Sequence, residues 1–143
     1  MEQYLLDPWS IYKDINYLAV FFCVVVAYVL GFVWYNPKTF GTAWMNMVGL
    51  NMKDAEKNGA KAMLWNLPIT IVIALYVAGY YTFMGVDSLW YAVGGALDLG
   101  VFVCLFIGMH YLYEMRPMKL FLITAGYTLV SLAAMGLIVG LFG

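Results

Sequence analysis

The chain has 143 residues, about the size of one domain, and 65% of them are hydrophobic while only 10% are charged; mean hydropathy is +0.85. A soluble fold this small cannot hide so much apolar surface, so lipid must serve as part of its solvent. The net charge of −1 leaves no basic field to hold nucleic acid, and two cysteines cannot build a disulfide framework or a zinc site.

The amino-terminal stretch MEQYLLDPWSIYKDI has no basic segment followed by an apolar core and a small-residue cleavage site. It does not read as a secretory signal, and the first span is expected to remain in the protein. Four stretches then reach the length of about 20 mostly apolar residues that a membrane helix needs: residues 17–35, 62–86, 89–113 and 120–143. Helices satisfy their own backbone in hydrocarbon, and the short alternating segments of a barrel are missing. The expected fold is all-α: one integral membrane domain over residues 1–143 with four transmembrane helices.

Pro37 closes the first span, since proline cannot continue the helical ladder. Phe40, Ala43, Trp44, Met47 and Val48 then recur at the spacing of one apolar helix face, with Gly49 as a stop. Residues 38–48 thus read as a short helix in the cytoplasmic interface. Asn51 and Asp54 resemble a capping box opening the polar lead-in to the second span. Pro68 predicts a kink there. In the tight turn at residues 86–88, Asp87 or Ser88 is expected to cap the third helix. Cys23 and Cys104 lie in apolar runs and read as small buried residues.

Aromatic residues mark the span ends as an interfacial belt. Trp34, Tyr35, Trp65, Tyr111 and Tyr113 are expected at one face, and Tyr12, Tyr17, Tyr80, Tyr81, Trp90 and Tyr91 at the other. The first and third connections carry Lys38, Lys53, Lys57, Lys61, Arg116 and Lys119, whereas the opposite side has Lys13 alone. That imbalance is expected to place those connections in the cytoplasm and both termini outside.

The stretch GFVWYNPKTFGTAWM resembles a motif of the bacterial membrane family named domain of unknown function 1761, filled here by Gly31, Trp34, Tyr35, Pro37, Phe40, Gly41 and Trp44. A second match runs through Leu112, Glu114, Arg116, Pro117, Ile123, Gly126, Tyr127 and Gly136, with Tyr113 in place of the usual Phe. The resemblance covers the chain from about Gly31 onward. It implies a four-span bacterial membrane protein and implies no activity.

Asp98 is the main functional candidate. It lies roughly 13–15 Å into the third span, near the bilayer midplane, where a carboxyl costs about 2.5–3.5 kcal/mol. It reads either as an intramembrane binding group for a cation or proton, or as a hydrogen-bond tie to another helix. Tyr28, Tyr76, Tyr127, Thr128 and Ser131 fall within about two turns of the same depth and are its expected partners. His110 lies about 18 Å further along that helix, too far to pair with Asp98; it reads as interfacial or as a proton-relay step. Glu114 with Arg116 reads as a hairpin lock. Arg116, Lys119 and Lys61 offer an alternative site for an anionic lipid headgroup.

Ala133, Gly136, Gly140 and Gly143 line one face of the fourth helix, and Gly94 and Gly95 notch the third. Such stripes serve packing within a bundle or between copies. Four short spans make a thin monomer, so a homo-oligomer is expected. No metal-ligand cluster, phosphate-binding loop or nucleophile–base arrangement is visible, and no cofactor is implied. Two functions stay open: permeation or transport of a small solute, cation or proton using Asp98, or a non-catalytic membrane scaffold, accessory subunit or lipid-interacting module.

Overall fold

The computed structural model describes residues 7–142. The reading of the extreme amino terminus and the place of Gly143 in the glycine stripe lie outside the described residues. The chain is all-helical there. A 3₁₀ turn, Pro8–Ser10, leads into α1 (Ile11–Asp14), followed by α2 (Tyr17–Trp34), α3 (Gly41–Val48), α4 (Met52–Met84), α5 (Leu89–Tyr113) and α6 (Met118–Phe142). Four of these, α2, α4, α5 and α6, are long and apolar enough to cross a membrane.

The second long helix begins ten residues earlier than its apolar stretch. The polar lead-in is itself helical, so α4 has 33 residues and a length of about 50 Å, beyond the roughly 30 Å of a hydrocarbon core. Asn51 starts it, its side-chain oxygen accepting from the Asp54 N–H at 3.0 Å. The helix runs through Pro68 without interruption. Gly49 and Gly85 end α3 and α4 in left-handed conformations, with φ of 75° and 60°, as glycine permits. Ser88 holds the N-cap position of α5 but its side chain makes no capping bond, nor does that of Asp87.

The last helix, α6, is the hub. It packs against α2, α4 and α5, while α5 leans chiefly on α6. Small residues allow the close approaches. Ala19, Cys23 and Ala27 line the inner face of α2, and Ala92, Ala96, Gly100 and Cys104 that of α5. A methyl group at Gly136 would stand 2.6 Å from the Ala96 Cβ, and one at Gly140 only 2.7 Å from the Ala92 Cβ. The glycine stripe of α6 is therefore used within the protomer. Both buried thiols face α6 as well: Cys23 Sγ donates to Met135 O at 3.6 Å and Cys104 Sγ to Ala125 O at 3.7 Å.

The segment before the first span also packs. Ile11 and Ile15 are buried, and Ile15 rests beside Gly79 of α4. Asn16 then serves two helices. Its Oδ1 accepts from Leu18 N and Ala19 N at the start of α2, while its Nδ2 donates to Phe142 O at the end of α6, 3.1 Å away.

Candidate functional site

Two places gather the polar and motif residues: an aromatic knot at the basic end of the bundle, and Asp98 in the middle of α5.

The knot contains most of the motif. Trp34 ends α2 and turns its indole onto α6, where Nε1 donates to Ile123 O at 3.1 Å. Gly126 makes room, since a Cβ there would lie 2.9 Å from the Trp34 ring. Phe40 packs on Trp34 with ring centres 4.7 Å apart, and Tyr35 sits edge-on to both Trp44 and Tyr127, each at 5.3 Å. Tyr127 reaches back across the bundle to donate to Ala27 O at 3.1 Å, passing over Gly31. Gly41 lies so close to the Tyr35 carbonyl that a Cβ would come within 2.1 Å of its oxygen. Thr39 Oγ1 lies within hydrogen-bond distance of the Val33 and Trp34 carbonyls that close α2, at 2.6 and 2.8 Å, and donates its single proton there. Each motif glycine thus answers a close approach, and each motif aromatic a packing or hydrogen-bonding partner. The knot fixes the α2–α3 connection to α6.

On the third connection, Glu114 and Arg116 form an ion pair, and Arg116 lies over the Tyr111 ring at 5.3 Å. Met115 between them takes the left-handed conformation, φ 53°, which lets the chain reverse before Pro117. Tyr111 in turn meets Thr124 Oγ1 at 3.3 Å. Beside them an open groove of about 500 Å³ runs between α5 and α6, lined by Cys104, Gly108, Met109, Leu112, Arg116 and Phe121 among others. Lys61 and Lys119 are exposed and do not line it.

The expected aromatic belt divides. Trp65, Trp90, Tyr91 and Tyr113 are exposed as a belt requires. Tyr81 is instead buried, and its hydroxyl accepts from Ala96 N at 3.1 Å; Trp34 and Tyr35 belong to the knot, and Tyr111 lies under Arg116 on the third connection. Size and ring type marked all of them alike, and only the helix faces separate them.

None of the expected partners of Asp98 meets it. Tyr28 donates to Met63 O at 2.7 Å, Tyr127 to Ala27 O and Thr128 to its own helix at Thr124 O. Ser131 is buried in α6 with no partner for its hydroxyl. Tyr76 is 71% exposed on the outer face of α4. Asp98 itself is exposed on α5 and makes no hydrogen bond or ion pair among the described residues. The physical reason is rotational: Ala92, Ala96 and Gly100 carry α5 against α6, so a residue two positions from Ala96 points away.

His110 is exposed and its Nδ1 donates to Phe106 O at 2.8 Å in its own helix, which suits an interfacial residue. The two α5 glycines differ. Gly95 faces the Tyr80 ring at 3.2 Å, whereas Gly94 faces open space beside Asp98. A second cavity of about 160 Å³ opens at the opposite end, lined by Asp14, Asn16, Tyr81, Thr82 and Val139 among others. Neither hollow is lined by Asp98.

Four long apolar helices, small-residue contacts and an acid in mid-span define a polytopic helical membrane protein. The family described as Protein of unknown function (DUF1761) matches residues 18–140, and the chain belongs to that family. It matches no curated protein and no solved structure.

Proposed function

We propose that the protein is a homo-oligomeric permeation protein of the bacterial cytoplasmic membrane, in which Asp98 takes up a proton or small cation at the contact between copies. The observation that carries this reading is Asp98 itself, exposed in mid-span with no partner among the described residues of its own protomer. Acids at that depth face a bundle interior or water rather than lipid. The protomer core is close-packed around alanine and glycine, so the path runs between protomers. Both termini lie outside and the basic connections inside, following the charge imbalance, with α3 resting in the cytoplasmic interface.

A scaffold or accessory module is the second reading. It is favoured by the knot, where the family motif is used for internal contacts. Lys61, Arg116 and Lys119 would then hold anionic headgroups at the basic end.

Proton flux into liposomes under an imposed membrane potential separates the two. Permeation requires flux from the wild type, reduced to the level of empty liposomes in Asp98→Asn. Wild-type liposomes no leakier than empty ones, across protons and monovalent cations, select the module.

A further inference from the structure

Asp98 is not alone in lying unsatisfied on the surface of the spans. Deep within the four spans, every other hydrogen-bonding side chain that carries a hydroxyl or amide and is exposed or half-buried either bonds its own protomer or lies against a neighbouring ring, as Tyr80 does against Tyr81. Among the described residues of the spans, two groups are left both exposed and without a hydrogen bond: the Asp98 carboxyl and the Tyr76 hydroxyl.

Their depths coincide. Tyr76 lies nine residues before Gly85, which ends α4, and Asp98 lies nine residues after Leu89, which begins α5. Both are therefore about 13–14 Å below the same tight turn. No lipid headgroup reaches that depth, so a donor for the acid comes from protein or from water that protein shelters.

Their surroundings suit a helix contact. Tyr76 continues an outward face formed by Ile69, Val72 and Ile73, and Asp98 one continued by Val101 and Leu105, all exposed. Gly94, one turn from Asp98, has open space where a side chain would stand; it leaves a notch into which a neighbouring helix fits.

We propose that a second copy of this chain covers the Asp98 face of α5 with its own α4, its Tyr76 hydroxyl donating to the Asp98 carboxyl. A two-fold axis along the membrane normal makes the contact reciprocal, giving two Tyr76–Asp98 bonds per dimer. The two copies share one orientation, so the paired helices run antiparallel. The pairing deepens the permeation reading by completing its binding group, yet it stands on the two unpartnered residues whether or not anything is carried.

The test is dimer formation in detergent micelles, followed by analytical ultracentrifugation over a range of protein-to-detergent ratios. Wild type, Tyr76→Phe, Asp98→Ala and the double variant are compared. Tyr76→Phe removes one exposed oxygen and keeps the ring, and an unchanged melting midpoint of its monomer shows the fold intact. Each membrane hydrogen bond is worth about threefold in affinity, so losing two weakens the dimer about tenfold. The double variant should be no weaker than Asp98→Ala alone. A wild type that stays monomeric throughout overturns the pairing, as does a Tyr76→Phe dimer as tight as wild type, or single effects that simply add. Asp98-dependent flux with an unaltered Tyr76→Phe dimer would remove the pairing and leave permeation standing. Coupled loss of the dimer in a protein without flux would do the reverse.

Discussion

Single side chains decide how the helices meet. Asn16 caps the first span and holds the final carbonyl of the last. Asn16→Ala is expected to lower stability by about 2 kcal/mol, combining a lost cap with a lost hydrogen bond. Asn16→Asp keeps the acceptors but not the Nδ2 donor, and its melting midpoint should fall between the two. Glycines give a sharper contrast. Gly136→Ala would force a methyl against Ala96 and within 2.9 Å of the Ala92 carbonyl, so α5 and α6 must part at a cost of about 1–3 kcal/mol or more. Gly59 lies inside the polar part of α4 with nothing near its missing Cβ; Gly59→Ala should raise stability by about 0.5–1 kcal/mol. Melts in one detergent check both signs. Equal effects at the two sites would mean that helix propensity, not close approach, governs them.

At the scale of elements, the long helices were legible because lipid imposes both their length and their hydrogen bonding. Their faces were not. In water a helix shows its buried side by contrast with a polar one, whereas in lipid the outer residues are as apolar as the inner. Phe102, Leu105 and Leu112 on the outside of α5 look no different in sequence from Leu132 in the core. Depth along the helix could therefore be read for Asp98, but rotation about the axis could not, and the tyrosines expected beside it turn elsewhere. The legible clue was the four-residue spacing of small residues, Ala92, Ala96, Gly100 and Cys104, which marks the face that packs on α6. Ile11 and Ile15, four apart and both buried, carry a similar mark in the segment before the first span. The α2–α3 connection follows from its motif once the contacts are known. Gly41→Ala cannot keep the Tyr35 carbonyl where it is, and it should displace α3 from the knot. A red shift in tryptophan emission, as Trp34 and Trp44 lose their neighbours, reports that displacement. An unchanged spectrum with an unchanged melt would show that the connection is not held by this approach.

For the whole molecule, orientation is the property most open to direct measurement. A cysteine at Lys57→Cys should react with an impermeant thiol reagent only from the cytoplasmic side, and one at Lys13→Cys only from outside, as the charge imbalance demands. Cys23 and Cys104 are buried and should give little background. The reverse pattern would turn the protein over and put the basic knot on the outer surface. The position of α6 as hub has a further consequence for biogenesis. It follows the other three spans in the chain, so the ribosome delivers the common partner of all of them last. Until it arrives α5 has little to lean on, and the acid it carries enters the bilayer without a settled bundle around it. A chain stalled before Met118 therefore leaves its third span without its main support, and it should be degraded by membrane proteases faster than the chain that carries α6.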